Sequence, residues 1–227
     1  MGAAPPAHPA VGRRSFFRSD GVETSAANAA QRTVRHPVAV IENFLPDDVW
    51  RKLLARVLAS ESSFQPSGTH DRRTDYRHSL VMNPPPDLVR PVVDRVRHAM
   101  PTVLPSLRVR PITVGVVEAQ VTASIDGSFF GVHTDADNDK VPKRYLTYVY
   151  YFNRQPKGFS GGELKIYHDV LRNNKLARAD TFDVVEPMHN RIVMFWARTM
   201  HEVMPVRVPS GAFADARFTV NGWVNST

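Results

Sequence analysis

The sequence predicts an α+β protein with helices packed on one side of a β core, and three observations predict it. In two segments between about residues 45 and 104, apolar residues recur at helical spacing. After residue 105 the chain breaks into seven or eight short β-like runs separated by Gly, Pro, Asp and Asn, a pattern that suits a sandwich or jelly roll rather than βαβ units. The chain has 227 residues, 42% hydrophobic and 22% charged, which is enough for one core without disulfides.

Residues 1–35 are rich in Ala, Pro, Ser and Arg and lack apolar periodicity, so they read as a poorly ordered tail before a single domain over 36–227. Pro37–Ile41 reads as a short buried strand. At Leu45-Pro46-Asp47-Asp48 a helix opens: proline suits the first turn and the aspartates favour its positive end. Val49, Trp50, Leu53, Leu54, Val57 and Leu58 form its core-facing stripe. A second helix is expected from Pro85–Pro86 to about Met100, kinked or delayed by Pro91, which has no N–H to donate. Gln65–Asn83 is too polar for the core and reads as a loop leading into a strand at about Ser79–Met82. The β core, 105–227, is expected as strands at Val109–Val121, Phe129–His133, Tyr145–Phe152, Glu163–Tyr167, Thr181–Val185, Ile192–Trp196, Glu202–Val206 and Ala214–Val224.

Composition narrows the chemistry. There are no cysteines, which excludes a disulfide framework and a thiolate zinc site; any transition metal must rest on His and carboxylate, as suits iron, manganese or zinc. The net charge is +7, but the basic residues are dispersed (Arg13–Arg14, Arg72–Arg73, Lys140–Arg144, Arg172–Arg178) and no nucleic-acid motif accompanies them. A basic surface is expected, not specific nucleic-acid binding. No apolar run reaches the ~18 residues that span a bilayer, and the N-terminus lacks the apolar stretch of a secretory signal. The expectation is a cytoplasmic protein with no membrane contact; oligomeric state is not legible.

One constellation carries chemistry. Phe129-Phe130-Gly131-Val132-His133-Thr134-Asp135 ends a strand with His-x-Asp, and residues two apart in a strand share a face, so His133 and Asp135 can address one ion. His201, between an apolar strand and the next strand, supplies a third ligand and completes a facial two-histidine, one-carboxylate set that leaves iron(II) open positions. Arg217 offers a guanidinium fork for the far carboxylate of a chelating 2-oxo acid.

From about Val114 to Val224 the chain resembles the prolyl-4-hydroxylase-type branch of the 2-oxoglutarate/Fe(II) dioxygenases. The resemblance rests on Gly127–Asp135, Arg144–Asn153, Phe159-Ser160-Gly161-Gly162-Glu163-Leu164, Asn190-Arg191 leading into Phe195-Trp196, His201-Glu202-Val203 and Arg217–Trp223, in the family's order. It implies a double-stranded β-helix (jelly roll), iron on His133, Asp135 and His201, and 2-oxoglutarate on Arg217, with Tyr151 and Thr147 beside it. Ascorbate is a candidate accessory reductant. One departure is Ser124, which stands where relatives often carry a cosubstrate-binding tyrosine; Gln120 or Thr122 is a candidate replacement.

The implied activity is hydroxylation of an unactivated C–H bond in an amino acid, peptide or protein side chain, with release of succinate and CO2. The carboxylate at Asp135 favours hydroxylation over halogenation, since related halogenases leave that position empty. Rival readings are a desaturase or cyclase of the same family acting on a small metabolite, a His/Asp metal hydrolase, and a binding module that has kept only the fold. Polar segments Gln65–Asn83, Ala136–Lys143 and His168–Asp180 are expected to flank the metal and meet a polar substrate, with Tyr76 and Arg77 as candidate contacts.

Overall fold

The computed structural model describes residues 33–67, 76–136, 143–172 and 175–227. By its internal contacts the chain divides into Met1–Ala30, outside the described residues, and Gln31–Thr227, to which all that follows applies.

In chain order the elements are β1 Thr33–Val34, β2 Ala39–Ile41, helix α1 Asp47–Ala59, β3 Gln65–Pro66, β4 Arg77–His78, β5 Leu80–Met82, helix α2 Pro86–Ser106, β6 Val114–Val117, β7 Gln120–Ser124 and β8 Phe129–His133. Then follow β9 Arg144–Phe152, β10 Ser160–Gly161, β11 Leu164–Arg172, β12 Lys175–Val185, β13 Arg191–Trp196, β14 His201–Val203, β15 Val206–Arg207 and β16 Arg217–Ser226. Among the described residues they form two large antiparallel sheets and a two-stranded one, β10-β15. The larger runs β2-β13-β9-β16-β7-β5-β3, with β6 also on β16; the smaller runs β1-β11-β14-β8-β4, with β12 also on β11. This is the jelly-roll core with two helices that the strand count predicts.

Period-two alternation decides what each face of the larger sheet does. Leu146, Tyr148, Tyr150 and Phe152 of β9 join Ile192 and Met194 of β13 and Phe218, Val220 and Val224 of β16 in a core shared with Trp50, Leu53, Leu54 and Val57 of α1 and Val92, Val96, Met100 and Val103 of α2. Each such apolar side chain contributes about 1.5–3 kcal/mol on burial. The alternate residues, Tyr151 of β9 and Val193 and Phe195 of β13, face the other way and pack with Leu164 and Ile166 of the smaller sheet. The helices thus cover one face, and the inner face is left to build a site.

Helix α1 starts after Pro46, with Asp47 and Asp48 in its first turn as expected. Helix α2 runs six residues past Met100, through Pro91, Pro101 and Pro105. Each proline removes one backbone hydrogen bond, but all three are exposed, while Leu88, Val89, Val92, Val96, Met100 and Val103 hold the opposite face in the core. Packing therefore outweighs the prolines.

Other boundaries also differ from the sequence reading. Val109–Val121 is two strands, β6 and β7, and Glu202–Val206 is β14 and β15. His168–Asp180, expected as a polar segment flanking the metal, belongs to the β11–β12 hairpin, whose cross-strand pairs run from Leu164–Val185 to Arg172–Lys175 around a bulge. Within the expected tail, Thr33 and Val34 pair with Val170 and Asp169 and Arg35 bridges Asp183 at 2.8 Å; residues 1–32 lie outside the described residues, as do 68–75 and 137–142 of the other two flanking segments. No helix among the described residues is long and apolar enough to cross a membrane.

Candidate metal centre and cosubstrate pocket

The smaller sheet brings the metal-ligand candidates together. Strand β8 ends at His133, β14 begins at His201, and the antiparallel register sets the two residues opposite each other. Their rings lie 4.1 Å apart between centroids. Asp135 follows β8 and is tied down by its own N–H, which donates to the Ala197 carbonyl at 2.9 Å. Its carboxylate oxygens lie 3.8 Å from His133 Nε2 and 3.4 Å from His201 Nε2. One ligand atom from each residue falls within 4.8 Å of the others, a spacing one ion can bridge.

The outward nitrogens settle the tautomers. His133 Nδ1 donates to the Gly131 carbonyl at 2.8 Å and His201 Nδ1 to the Thr199 carbonyl at 2.9 Å. A carbonyl only accepts, so each Nδ1 carries the proton and each Nε2 keeps a lone pair for the centre. Burial and the neighbouring His201 push the His133 pKa down to about 3, against the pull of Asp135. Burial alone would raise the Asp135 carboxyl, but His201, His133 and the Thr147 hydroxyl together hold it below the usual carboxylate range. Neutral imidazole beside ionised carboxylate is the state a divalent cation binds.

The same cavity, of about 510 Å³, is also lined by Arg217. Arg217 begins β16 opposite Ser124 of β7 and is only 3% exposed. Its Nη1 is a long 3.5 Å from Ser124 Oγ, while Nε and Nη2 are buried without a hydrogen-bond partner. The Tyr151 hydroxyl is buried and unpartnered too, and the guanidinium carbon lies 4.9 Å from its ring centroid. Burial lowers the Arg217 pKa, against the pull of Tyr151 and Glu163, and raises that of Tyr151, against the pull of Arg217. An unpaired buried cation and an unpaired buried hydroxyl are each costly; a carboxylate entering the cavity would satisfy both.

These residues fit the groups the sequence implied. The three side chains offer two imidazoles and one carboxylate, a donor set for iron(II), and Arg217 with Tyr151 offers a socket for a carboxylate. Thr147 lines the same cavity as Arg217, and its hydroxyl donates to Asp135 Oδ2 at 2.6 Å, so it also steadies a candidate metal ligand. Of the candidates to replace a tyrosine at Ser124, Thr122 donates to Asn221 Oδ1 at 2.8 Å, while Ser124 Oγ itself lies 3.5 Å from Arg217 Nη1. Tyr76 and Arg77 both line the cavity. The Tyr76 hydroxyl donates to the Val132 carbonyl at 2.7 Å, and Arg77 lies over the Phe130 ring at 4.6 Å.

Three functional positions escaped the sequence reading. Phe130 stacks on His133 at 3.6 Å and fixes the imidazole plane; as one apolar residue in an apolar strand it carries no signal of its own. Asn221 links Thr122 and Thr219 in the cavity wall, and only its parity with Arg217 along β16 could have pointed to it. Gly162 has φ +73°, and a Cβ there would meet Arg217 Cδ at 2.5 Å. The Gly161-Gly162 pair was visible, but its closeness to Arg217 is a long-range fact.

Comparison with known proteins agrees with this architecture. Residues 119–225 match the 2OG-Fe(II) oxygenase superfamily. A PKHD-type hydroxylase of Synechocystis sp., itself described as uncharacterized, is 38% identical over 186 residues. That match covers 81% of this chain and 61% of the relative, so the chain spans about three fifths of that protein's length. Among solved structures, a prolyl-4-hydroxylase of Pseudomonas putida superposes with a TM-score of 0.62 at 21% identity, covering 85% of this chain and 94% of the other. A prolyl hydroxylase of Trichoplax adhaerens, in complex with a hypoxia inducible factor peptide fragment, gives 0.61 at 18% identity, covering 84% of each chain. At these identities the two structures speak to the fold, which is the same jelly roll. Residues 119–225, which carry the His133, Asp135 and His201 cluster and Arg217 on the inner face of that fold, belong to the 2OG-Fe(II) oxygenase superfamily.

Proposed function

We propose that this protein is an Fe(II)- and 2-oxoglutarate-dependent dioxygenase that hydroxylates an amino acid, peptide or protein side chain. The observation that carries the reading is Arg217: a fully buried guanidinium with two unpartnered nitrogens, in the cavity lined by His133, Asp135 and His201. A plain metal hydrolase has no use for that cation, whereas a 2-oxo diacid has a second carboxylate to place against it.

His133 and His201 present Nε2, and Asp135 presents a carboxylate held by Thr147. Arg217 and the Tyr151 hydroxyl would hold the distal carboxylate of 2-oxoglutarate. When bound there, iron and cosubstrate supply the oxidation of an unactivated C–H bond by dioxygen, with succinate and CO2 released. Asp135 fills the position that a halide would need, which supports hydroxylation over halogenation. Leu164 lines the cavity and packs with Val193 and Phe195 in a buried apolar cluster, and Phe195 sits edge-on to His201. The name of the Synechocystis relative, a PKHD-type hydroxylase, supports the same class.

The test is succinate release with iron(II), 2-oxoglutarate and air, alongside a substrate screen read by mass gain of one oxygen. His133→Ala and Asp135→Ala are expected to abolish iron binding. Arg217→Ala is expected to spare iron and weaken 2-oxoglutarate about 100-fold, as for loss of one or two charge-assisted hydrogen bonds. Loss of iron affinity in Arg217→Ala, or 2-oxoglutarate binding untouched by it, contradicts the assignment.

A further inference from the structure

We infer that Arg77 is the docking point for an oxyanion, a carboxylate or phosphate, carried by the substrate. The inference rests on the proposed function and adds to it the chemical class of the molecule oxidised.

Arg77 opens β4, which pairs with β8 so that Arg77 sits opposite Phe130. Its guanidinium lies 4.6 Å from the centroid of Phe130, and Phe130 stacks on His133. The cation is therefore held on the metal's side of the cavity, one aromatic layer from a ligand. Among the described residues it makes no ion pair with any carboxylate. The nearby anion that acts on it is Asp135, and burial outweighs that carboxylate, lowering the Arg77 pKa. The other arginine at the cavity wall near the metal is already matched: Arg144 forks onto Glu118 at 3.3 and 2.7 Å and stacks on Trp223 at 3.4 Å. A partly desolvated guanidinium without a counter-ion is costly to keep unless a ligand supplies one.

Charge balance points the same way. With both imidazoles neutral, a divalent ion and Asp135 leave one positive charge. Arg217 adds a second, and the two carboxylates of 2-oxoglutarate cancel both. Arg77 is then the remaining uncompensated cation lining the cavity among the described residues. Its planar fork matches the two oxygens of a carboxylate or phosphate. Stacking on Phe130 pre-orients that fork, so the bound oxyanion sits beside the metal and the carbons attached to it come within reach of oxidation.

The test uses the iron-loaded protein under argon with saturating 2-oxoglutarate, whose chelate with iron(II) absorbs visible light and shifts when substrate enters. The probes are the amino acids as free carboxylates against their carboxamides, and phosphoserine and phosphothreonine against serine and threonine amides; air is then admitted and mass gain of one oxygen is read. Oxyanion-bearing members are expected to shift the chelate band and their neutral counterparts not to. Arg77→Gln is expected to weaken that binding about 30-fold or more, Arg77→Lys to restore part of it, and both to form the 2-oxoglutarate chelate with wild-type affinity. Neutral members binding as well as charged ones, no charged member shifting the band, or Arg77→Gln binding like wild type would each overturn the inference while the intact chelate leaves the proposed function standing. If the wild type forms no chelate, the proposed function fails and this inference falls with it.

Discussion

At the scale of single residues, the site works through side chains that hold other side chains. Thr147 is the clearest case, since its hydroxyl is 2.6 Å from Asp135 Oδ2. Thr147→Val keeps the shape and removes the donor, and is expected to weaken iron(II) binding about 10–100-fold, as for loss of a hydrogen bond that orients a metal ligand. Competition against a coloured chelator reads this directly; unchanged affinity would mean that the bond does not orient Asp135. Gly162 acts on the cosubstrate end. Gly162→Ala puts a Cβ in a left-handed conformation and against Arg217 Cδ, so it is expected to cost about 1–3 kcal/mol of stability and to raise the 2-oxoglutarate requirement, with iron affinity retained. The ligands and Arg217 were legible in the sequence because strand parity aims His133 and Asp135 together and the motif residues are chemically distinctive. Gly162 and Phe130 act through contacts from distant parts of the chain, and no local pattern records those.

At the scale of elements, the entrance to α1 is fastened to the larger sheet by one buried side chain. Asn190 Oδ1 accepts from the Leu45 N–H and the Tyr150 hydroxyl, and its Nδ2 donates to the Leu45 carbonyl, all at 2.9 Å. Its backbone φ of +57° is one that asparagine tolerates better than most residues. Asn190→Ala removes all three bonds and is expected to destabilise by about 2–4 kcal/mol, at roughly 1 kcal/mol per bond plus backbone strain. Chemical denaturation measures this, and a loss below half a kcal/mol would show that the network contributes little. Strand existence was largely legible, because β8, β9, β13 and β16 carry strong period-two patterns. Boundaries were less so: α2 continues through three exposed prolines because its buried face holds it, and the β11–β12 hairpin continues through a polar run because strand pairing satisfies its backbone. Both outcomes depend on partners far along the chain.

At the scale of the whole molecule, the two sheets leave one cavity lined both by the His133, Asp135 and His201 cluster and by the buried Arg217 guanidinium. The fold class followed from composition and strand count; the cavity between the sheets follows from β9, β13 and β16 turning alternate residues to the helices and to the interior. Ligands that bind only the native state stabilise it. Manganese(II), a redox-silent substitute, together with 2-oxoglutarate, is therefore expected to raise the midpoint of thermal unfolding by several degrees, since about 3 kcal/mol accompanies a hundredfold excess of ligand over Kd. The same addition should leave Asp135→Ala unmoved.

The most direct test of the central claim is an anaerobic titration of 2-oxoglutarate into the iron(II)-loaded protein, followed by the visible absorption of the metal chelate, for wild type, His201→Ala and Arg217→Ala. The expected result is a saturable band in wild type, none in His201→Ala because iron is lost, and a band in Arg217→Ala that appears only at about 100-fold higher 2-oxoglutarate. A wild-type protein that binds iron yet forms no band, or an Arg217→Ala titration that overlays the wild type, would contradict the account.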